Sequence, residues 1–172
     1  AVTTAKIADD AVTFDKLSGQ NYPAFFATMG TSDQTVTDVT LTKVQLSNEV
    51  IDTNNSYDPT TNYRFTIPSG GAGKYFIFGS VTGNASSNST LDIVYCNLYK
   101  NGSNQFVSIE NFRNNQTKAT TAKIHVIMDL SVGDYIELFG LVDVTSGTPS
   151  FDAGTTGGTI KSTYFGAYRI GD

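Results

Sequence analysis

The sequence predicts an all-β domain made of two packed antiparallel sheets. Apolar side chains recur at every second position in most segments after residue 20, which is the period of a β-strand. Clusters of Gly, Asn, Ser and Thr separate about ten such segments at even intervals, with no helical spacing between them. Charged residues make up only 16% of the 172 residues, and aromatic residues make up 12%. Together these observations predict a two-sheet sandwich with long connections.

Length, charge and cysteine content exclude several classes of protein. A chain of 172 residues forms one domain with a short appendage and buries roughly 70% of its unfolded surface. The net charge is −5 and the 11 Lys and Arg residues form no cluster, so we expect no nucleic-acid binding. No apolar run has the length of a membrane helix, so we expect no membrane insertion. The single cysteine, Cys96, excludes an internal disulfide framework, and its apolar neighbours predict a core position.

Residues 1–18 contain a ten-residue repeat that we separate from the rest of the chain. Ala-Val-Thr-Thr-Ala-Lys-Ile-Ala-Asp-Asp is followed by Ala-Val-Thr-Phe-Asp-Lys-Leu-Ser, and Thr3 and Thr13 are suitable N-caps for one helical turn each. The units resemble the shaft repeats of phage tail fibres and head fibres. We therefore assign residues 1–20 to an N-terminal shaft or anchor remnant and residues 21–172 to a globular domain. A flexible leader is the alternative interpretation of the repeats.

The first half of the globular domain reads as strands separated by polar turns. We expect strands at residues 24–29 and 40–46, with a polar loop between them. A short apolar strand follows from residue 48, and the Asn, Asp, Ser and Thr residues of segment 52–61 predict a turn. Pro68 ends the next strand, because proline cannot donate to a sheet ladder. Gly70, Gly71 and Gly73 then allow a bend into a long aromatic strand.

The second half alternates more regularly. Residues 91–100 and 105–113 predict a hairpin, because Asn101-Gly102 is a typical pair for a type I′ turn. Residues 122–130 and 135–144 predict two further strands joined at Gly133-Asp134. After a Gly/Thr/Ser loop at 146–158, residues 163–170 form the last expected strand.

Several of these segments together resemble the globular head of the C1q and tumour necrosis factor superfamily. The central segment carries Asn54-x-x-Tyr57-Asp58-x-x-Thr61, then Arg-Phe-Thr-Ile-Pro at 64–68 and Gly-x-Tyr-x-x-Phe at 73–78. Cys-Asn-Leu-Tyr-Lys-Asn-Gly at 96–102, Leu-Ser-Val-Gly-Asp-Tyr-Ile-Glu-Leu at 130–138 and Thr-Tyr-Phe-Gly-Ala-Tyr at 163–168 keep the order of the family. Extra glycines before Tyr75 depart from its pattern. The resemblance implies a jelly-roll sandwich and a homotrimer.

Strand periodicity identifies a second apolar face, which predicts where copies of the chain meet. Phe76 and Phe78 alternate with Tyr75 and Ile77, so the two pairs lie on opposite faces of one strand. A two-layer sandwich buries only one face of each sheet, and an exposed aromatic patch normally marks an interface. We expect the trimer interface to contain Phe76, Phe78, His125, Ile127, Tyr164 and Tyr168. A buried, neutral His125 would weaken assembly as the pH falls.

The sequence gives little support for a catalytic or metal-binding site, so we expect no enzyme activity, no metal and no cofactor. His125 is the single histidine and stands beside no nucleophile motif. Five carboxylates could form a glycosidase pair only if the fold brought two of them together: Asp58, Asp92, Asp134, Glu137 and Asp143. Asp52-x-Asn54-x-Ser56-x-Asp58 resembles the start of a calcium loop, but Tyr57 replaces the required glycine. Turn capping explains these residues better.

The sequence therefore favours a non-enzymatic, trimeric phage fibre or capsid-decoration protein at the virion surface. Residues 1–20 would contact other virion proteins, and a host surface glycan or protein would be the second partner. We expect recognition loops at residues 33–38, 83–90 and 146–158. A secreted C1q-like lectin or adhesion module and a glycan-degrading tailspike enzyme are the alternatives.

Overall fold

The computed structural model describes residues 22–154 and 160–171, and within these ranges the chain contains thirteen β-strands and no helix. The strands are β1 (Ala24–Thr28), β2 (Gln34–Thr35), β3 (Thr42–Lys43), β4 (Asn48–Asp52), β5 (Tyr57–Asp58), β6 (Arg64–Thr66), β7 (Gly73–Asn84), β8 (Leu91–Lys100), β9 (Ser103–Asn111), β10 (Ala119–Leu130), β11 (Tyr135–Val144), β12 (Ser150–Phe151) and β13 (Tyr164–Gly171). The predicted all-β class is confirmed.

The strands form two antiparallel sheets with the connectivity of a jelly roll. The seven-stranded sheet has the order β2-β12-β7-β13-β1-β4, and β10 pairs with the other side of β7. The six-stranded sheet has the order β5-β6-β11-β8-β9, and β3 adds to β11. After the β8–β9 hairpin of the six-stranded sheet, β10 lies in the seven-stranded sheet and β11 lies in the six-stranded sheet again. The chain is thus a two-layer sandwich, as predicted.

The core fills the space between the inner faces of the two sheets. Phe25 lies near its centre, where its ring stacks on Phe65 at 4.5 Å and on Tyr57 at 5.0 Å and meets the edge of Phe165 at 5.1 Å. Cys96 is fully buried on the inner face of β8, which confirms its predicted core position. Burial raises the pKa of the Cys96 thiol to about 12.

The turn at the end of β8 and the turn before β11 are joined by side-chain hydrogen bonds. Asn101 and Gly102 both have positive φ, at 51° and 77°, as the predicted type I′ hairpin requires. The Asn101 amide donates to Asp134 Oδ1 at 2.7 Å and accepts from the Tyr135 N–H at 2.9 Å. Two short turns distant in sequence are therefore fixed relative to each other.

The structure differs from the sequence-based expectation in its short strands. The predicted strand at residues 40–46 is wrong over most of its length, because only Thr42–Lys43 pairs, against β11. Val44 and Leu46 are still buried. The segments 30–38, 52–61 and 146–158 were expected to be loops, yet they contain β2, β5 and β12. These additions explain why thirteen strands are found where about ten were predicted from spacing.

The sandwich has two distinct ends. The start of β1, the start of β7 and the end of β13 lie at one end, where the Arg169 N–H donates to the Pro23 carbonyl at 3.0 Å. The connections after β1, β7 and β11 lie at the opposite end. The predicted N-terminal repeats, residues 1–20, fall outside the described residues. Across residues 22–154 and 160–171, we find no helix with the length and apolar character needed to cross a membrane.

Candidate interaction surface

The outward side of the seven-stranded sheet carries a continuous set of large side chains, which we call the aromatic face. Its members belong to five adjacent strands in the order β10, β7, β13, β1 and β4. Strand register aligns them in rows, because paired residues of neighbouring strands point to the same side. One row is Ile127, Phe76 and Tyr168; the next is His125, Phe78, Gly166, Phe26 and Ile51; Tyr164 follows in a third row.

The rings of the aromatic face contact one another across strands. Phe76 lies 5.5 Å from Tyr168, 6.0 Å from Phe78 and 6.4 Å from His125, measured between ring centroids. Phe26 lies 6.0 Å from Phe78 and 5.9 Å from Tyr164. These separations are typical of favourable aromatic pairs. The result is one connected aromatic layer.

This layer is open to solvent in the single chain. Ile127 is 61% exposed, Ile51 is 49% exposed and Tyr168 is 47% exposed. Phe26, Phe76, Phe78 and Tyr164 are half-buried, and they cover one another rather than being covered by a second layer. A face of this composition and extent normally marks an interface.

All six residues predicted from the sequence lie on the aromatic face, but their role as a trimer interface stays a prediction. Sequence reasoning missed Phe26 and Ile51, which extend the face across β1 and β4. Strand alternation shows only that Phe26 and Phe25 point to opposite faces of β1. The partner strand, which decides the orientation of β1, could not be read from its own five residues.

Toward the loop end, the same side of the sheet becomes polar. Ser80 donates to the Ser162 carbonyl at 2.8 Å, and the hydroxyls of Thr82 and Thr121 lie 2.8 Å apart. Lys123 pairs in register with Ser80 and is exposed. The apolar part of the surface is thus confined to the half of the sheet near Pro23, and its boundary is sharp.

A second exposed apolar group lies at a different place, on the edge strand β9. It consists of Val107 and Ile109, whose side chains point to the same side of β9 and are 47% and 48% exposed, and we call it the β9 edge patch. Phe106 is 43% exposed and points to the opposite side of the strand. β9 pairs only with β8 among the described strands, so its outer backbone edge is not hydrogen-bonded within a sheet. Such an edge is a ready-made contact surface.

The three predicted recognition loops come together at one end of the sandwich. The Thr148 N–H donates to Ser86 Oγ at 2.9 Å, which joins the second loop to the third. The Ala153 N–H donates to Asp33 Oδ1 at 2.9 Å, which joins the third to the first. β2 and β12 pair within this cluster. Within residues 33–38, 83–90 and 146–154 the loops are therefore joined by hydrogen bonds, and residues 155–158 of the third loop lie outside the described residues.

The carboxylates that could have served a catalytic pair all have structural partners. Glu137 is 5% exposed and pairs with the Lys43 ammonium at 2.5 Å. Asp143 accepts from Arg113 at 2.7 Å, and Asp92 accepts from the Gln116 amide at 2.8 Å. Asp134 pairs with Lys100 at 2.8 Å. Burial acts to raise the pKa of Asp134, but hydrogen bonds from Lys100, Asn101 and the Ser131 N–H outweigh it and lower the pKa to about 2.

The calcium-like segment is confirmed as a pair of turn caps. Asp52 accepts from the backbone N–H groups of Asn54 at 3.1 Å and Tyr57 at 2.7 Å. Asp58 accepts from the N–H groups of residues 60, 61 and 62 at 2.9–3.0 Å. These backbone hydrogen bonds hold the pKa of Asp58 well below its usual range, and the bond from the Thr61 N–H has the largest effect. Among the described residues, no three His, Cys, Asp or Glu side chains are grouped closely enough to hold a metal ion.

Comparison with known proteins identifies the fold and nothing finer. No sequence model of a protein family matches the chain, and no curated protein matches it. Among solved structures, Eiger TNF from S. frugiperda is similar with a TM-score of 0.60 at 11% identity, over 88% of this chain and 94% of that one. Murine APRIL at pH 5.0 is similar with a TM-score of 0.56 at 10% identity, over 87% of this chain and 100% of that one. The chain thus has a TNF-like jelly-roll fold.

Proposed function

We propose that this chain is a non-enzymatic binding module that assembles as a homotrimer at the surface of a bacteriophage particle, as a fibre or capsid-decoration protein. The observation that carries the proposal is the aromatic face. Five connected rings, flanked by Ile51 and Ile127, form an exposed apolar surface of the kind that marks an interface.

The two exposed apolar surfaces differ in shape and in position, which favours a ring over a two-fold dimer. A two-fold contact uses the same patch on both copies, whereas a head-to-tail contact joins two different patches and closes into a ring. The β9 edge patch of one copy against the aromatic face of the next is such a contact. If it buries about 500 Å² of ring surface per copy, the gain at ~25 cal/mol/Å² is about 12 kcal/mol before association costs.

The polarity of the domain supports display on a particle. Tyr22 and Pro23 lie at the end of the sandwich opposite the braced loops, so residues 1–20 would attach behind the domain and leave the loops distal. In this arrangement the N-terminal segment contacts other virion proteins, and the loops meet a host surface glycan or protein. The resemblance of the repeats to phage fibre shafts supports the same assignment.

The partners of the carboxylates support binding rather than turnover. Glu137, Asp134 and Asp143 each form an ion pair with a lysine or an arginine. His125 stacks on Phe76 on the aromatic face rather than beside a hydroxyl nucleophile. If a reducing-sugar assay on host polysaccharide finds activity, His125→Ala and Asp134→Asn, tested separately, should both retain it. Loss with the fold intact would favour a glycan-degrading enzyme.

Light scattering of the purified chain tests the assembly. We expect a mass three times that of the 18.4 kDa chain at micromolar concentration. Changing Phe78 and Tyr168 together to Asp should give monomers, because the charges would be buried without partners. The matched control changes Val39 and Val132, which are 57% and 54% exposed outside both patches, to Asp, and should leave the trimer intact. A stable wild-type monomer would overturn the proposal.

Two further measurements test the biological setting. Negative-stain microscopy of the source material should show virions labelled by antibody against this chain; labelled material without particles would favour the secreted lectin instead. Exchanging residues 33–38, 83–90 and 146–158 for those of a related fibre should change host range. A host range that followed residues 1–20 would contradict the role of the loops.

A further inference from the structure

A cleft of about 400 Å³ opens beside the aromatic face's sheet, near the loop end. It lies between the connection that follows β1, the segment between β3 and β4, and the residue that precedes β6. Its volume is within the range of small-molecule sites. The lining residues are Met29, Gly30, Thr31, Ser32, Asp33, Gln34, Gln45, Ser47 and Tyr63.

The walls of the cleft are fixed by hydrogen bonds that bridge separate segments. The Gln34 side chain donates to the Lys43 carbonyl at 2.9 Å and accepts from the Gln45 N–H at 2.8 Å, so it ties two walls together. Asp33 accepts from the Ala153 N–H at 2.9 Å. Tyr63 has a φ of 49°, in the left-handed region that bulky residues rarely adopt. The cleft is therefore shaped before any ligand arrives.

Several other polar side chains of the cleft are available to bind a ligand. The side chains of Thr31, Ser32, Gln45 and Ser47 form no hydrogen bond to the described residues, and neither does the Tyr63 hydroxyl. These groups include both donors and acceptors. Gly30 leaves the floor open, since a β-carbon there would stand 3.2 Å from Ser47 Oγ. A ligand with several hydroxyl groups would find several partners within one cleft.

The charges around the cleft disfavour anions and metal ions. The Lys161 ammonium donates to the carbonyls of Met29 at 3.0 Å and Gly30 at 2.5 Å. The Lys43 ammonium is held by Glu137 and the Asn62 carbonyl. The Lys161 ammonium therefore occupies carbonyl oxygens that a cation would need, and both ammonium groups have little capacity left for an anion. Asp33 supplies a single carboxylate, whereas calcium takes six to eight oxygen ligands.

We propose that this cleft binds a neutral saccharide. Sugar hydroxyls match the serine, threonine and glutamine groups, and the half-buried ring of Tyr63 offers an apolar surface for the C–H face of a sugar ring. This inference rests on the proposed binding function and names its ligand class. It places recognition beside the braced loops rather than on the aromatic face.

Saturation-transfer NMR on the full chain tests it, with neutral gluco-, manno-, galacto- and N-acetylglucosamine oligosaccharides as probes. Sulfated forms of the same oligosaccharides serve as charged probes, and we expect at least one neutral probe to bind. Gln45→Ala should weaken its binding at least threefold, since it removes an exposed amide that forms no hydrogen bond to the described residues and leaves the backbone bond to Gln34 in place. Tyr63→Asn should weaken it at least tenfold, because it removes the ring while asparagine tolerates positive φ.

The control is Asn115→Ala, which removes an exposed amide from the β9–β10 connection and should bind as the wild type does. Light scattering on each variant separates the two proposals, since cleft variants should keep the assembly of the wild type. If the chain is a trimer and binds none of the neutral probes, the saccharide proposal is wrong and the trimer proposal is unaffected. Binding of sulfated probes alone, or binding unaffected by both cleft variants, would overturn it equally.

Discussion

The ring of Phe78 lies over Gly166 on the neighbouring strand. A β-carbon added to this glycine would stand 2.4 Å from Phe78 Cζ and 3.0 Å from the Phe25 carbonyl oxygen. The missing side chain lets Phe78 reach across β13 to Phe26 on β1. One glycine therefore makes the aromatic layer continuous across three strands.

Gly166→Ala should displace Phe78 and interrupt this layer. Because backbone as well as ring atoms crowd the new methyl group, we expect a loss of about 1–3 kcal/mol in the free energy of unfolding. Urea unfolding measures it, and light scattering should show weaker assembly. Gly171→Ala is the control, since nothing lies within 4 Å of its added carbon. Equal stability of the two variants would contradict this account of Gly166.

The β9 edge patch should matter for assembly and little for the fold. Val107→Lys with Ile109→Lys places two charges on exposed positions, so the thermal midpoint of the monomer should change little. If the patch meets the aromatic face of the next copy, trimers should dissociate, as sedimentation velocity would detect. Val132→Lys, on an equally exposed valine in the β10–β11 turn, should not dissociate them. Intact trimers in the double variant would place the contact elsewhere.

Asp134 should make stability depend on pH at the acid end. Its pKa is lowered to about 2 in the folded chain, below its ordinary value of 3.8, so its contribution is present above pH 3.8 and is lost as the pH falls toward 2. After allowance for solvent screening we expect Asp134→Asn to cost about 1 kcal/mol at pH 7. Urea titrations should show that the difference in unfolding free energy between the wild type and Asp134→Asn is smaller at pH 2.5 than at pH 7. If this difference is the same at both pH values, the charge of the Asp134 carboxylate is not its cause.

Cys96 should react with thiol reagents only when the chain unfolds. The side chain is fully buried and burial raises the pKa of its thiol to about 12, so the native state offers almost no accessible thiolate. Labelling with a chromogenic disulfide should be slow in buffer and immediate in denaturant. Fast labelling of the native chain would mean that the core opens around β8.

Asp58 should act as a turn cap and not as a calcium ligand. Asp58→Ala removes the acceptor of three backbone N–H groups, and we expect a loss of about 1–2 kcal/mol in stability. Millimolar calcium should leave the thermal midpoint of the wild type unchanged, measured against magnesium as the control ion. A rise with calcium that disappears in Asp58→Ala would show a site in this turn.

The sequence predicted the long strands well because each carries its own alternation. Residues 91–100 and 135–144 were expected as strands and form β8 and β11 with those bounds. The short strands β2 and β12 have no such pattern, since two residues pair only because the loops bring them together. Residues 40–46 alternate in polarity, yet only Thr42 and Lys43 pair with β11. Tertiary pairing, rather than local preference, decides such segments.

The aromatic face was predicted in part for the same reason. β7, β10 and β13 are long enough to fix which side chains share a side, and the six predicted residues do so. Phe26 required the register of β1 against β13, and the role of Gly166 required atomic distances. The cleft combines residues from three separate connections, and no spacing in the sequence indicates it.

The hydrogen bond from Arg169 to Pro23 has a consequence for protein engineering. It holds the two ends of the described domain side by side, at 3.0 Å between donor and acceptor. A domain whose ends adjoin can be spliced into a surface loop of another protein without separating the points of entry and exit. It can also be circularly permuted, with a short linker joining residues 171 and 22 and new ends opened at the exposed Asn101-Gly102 turn.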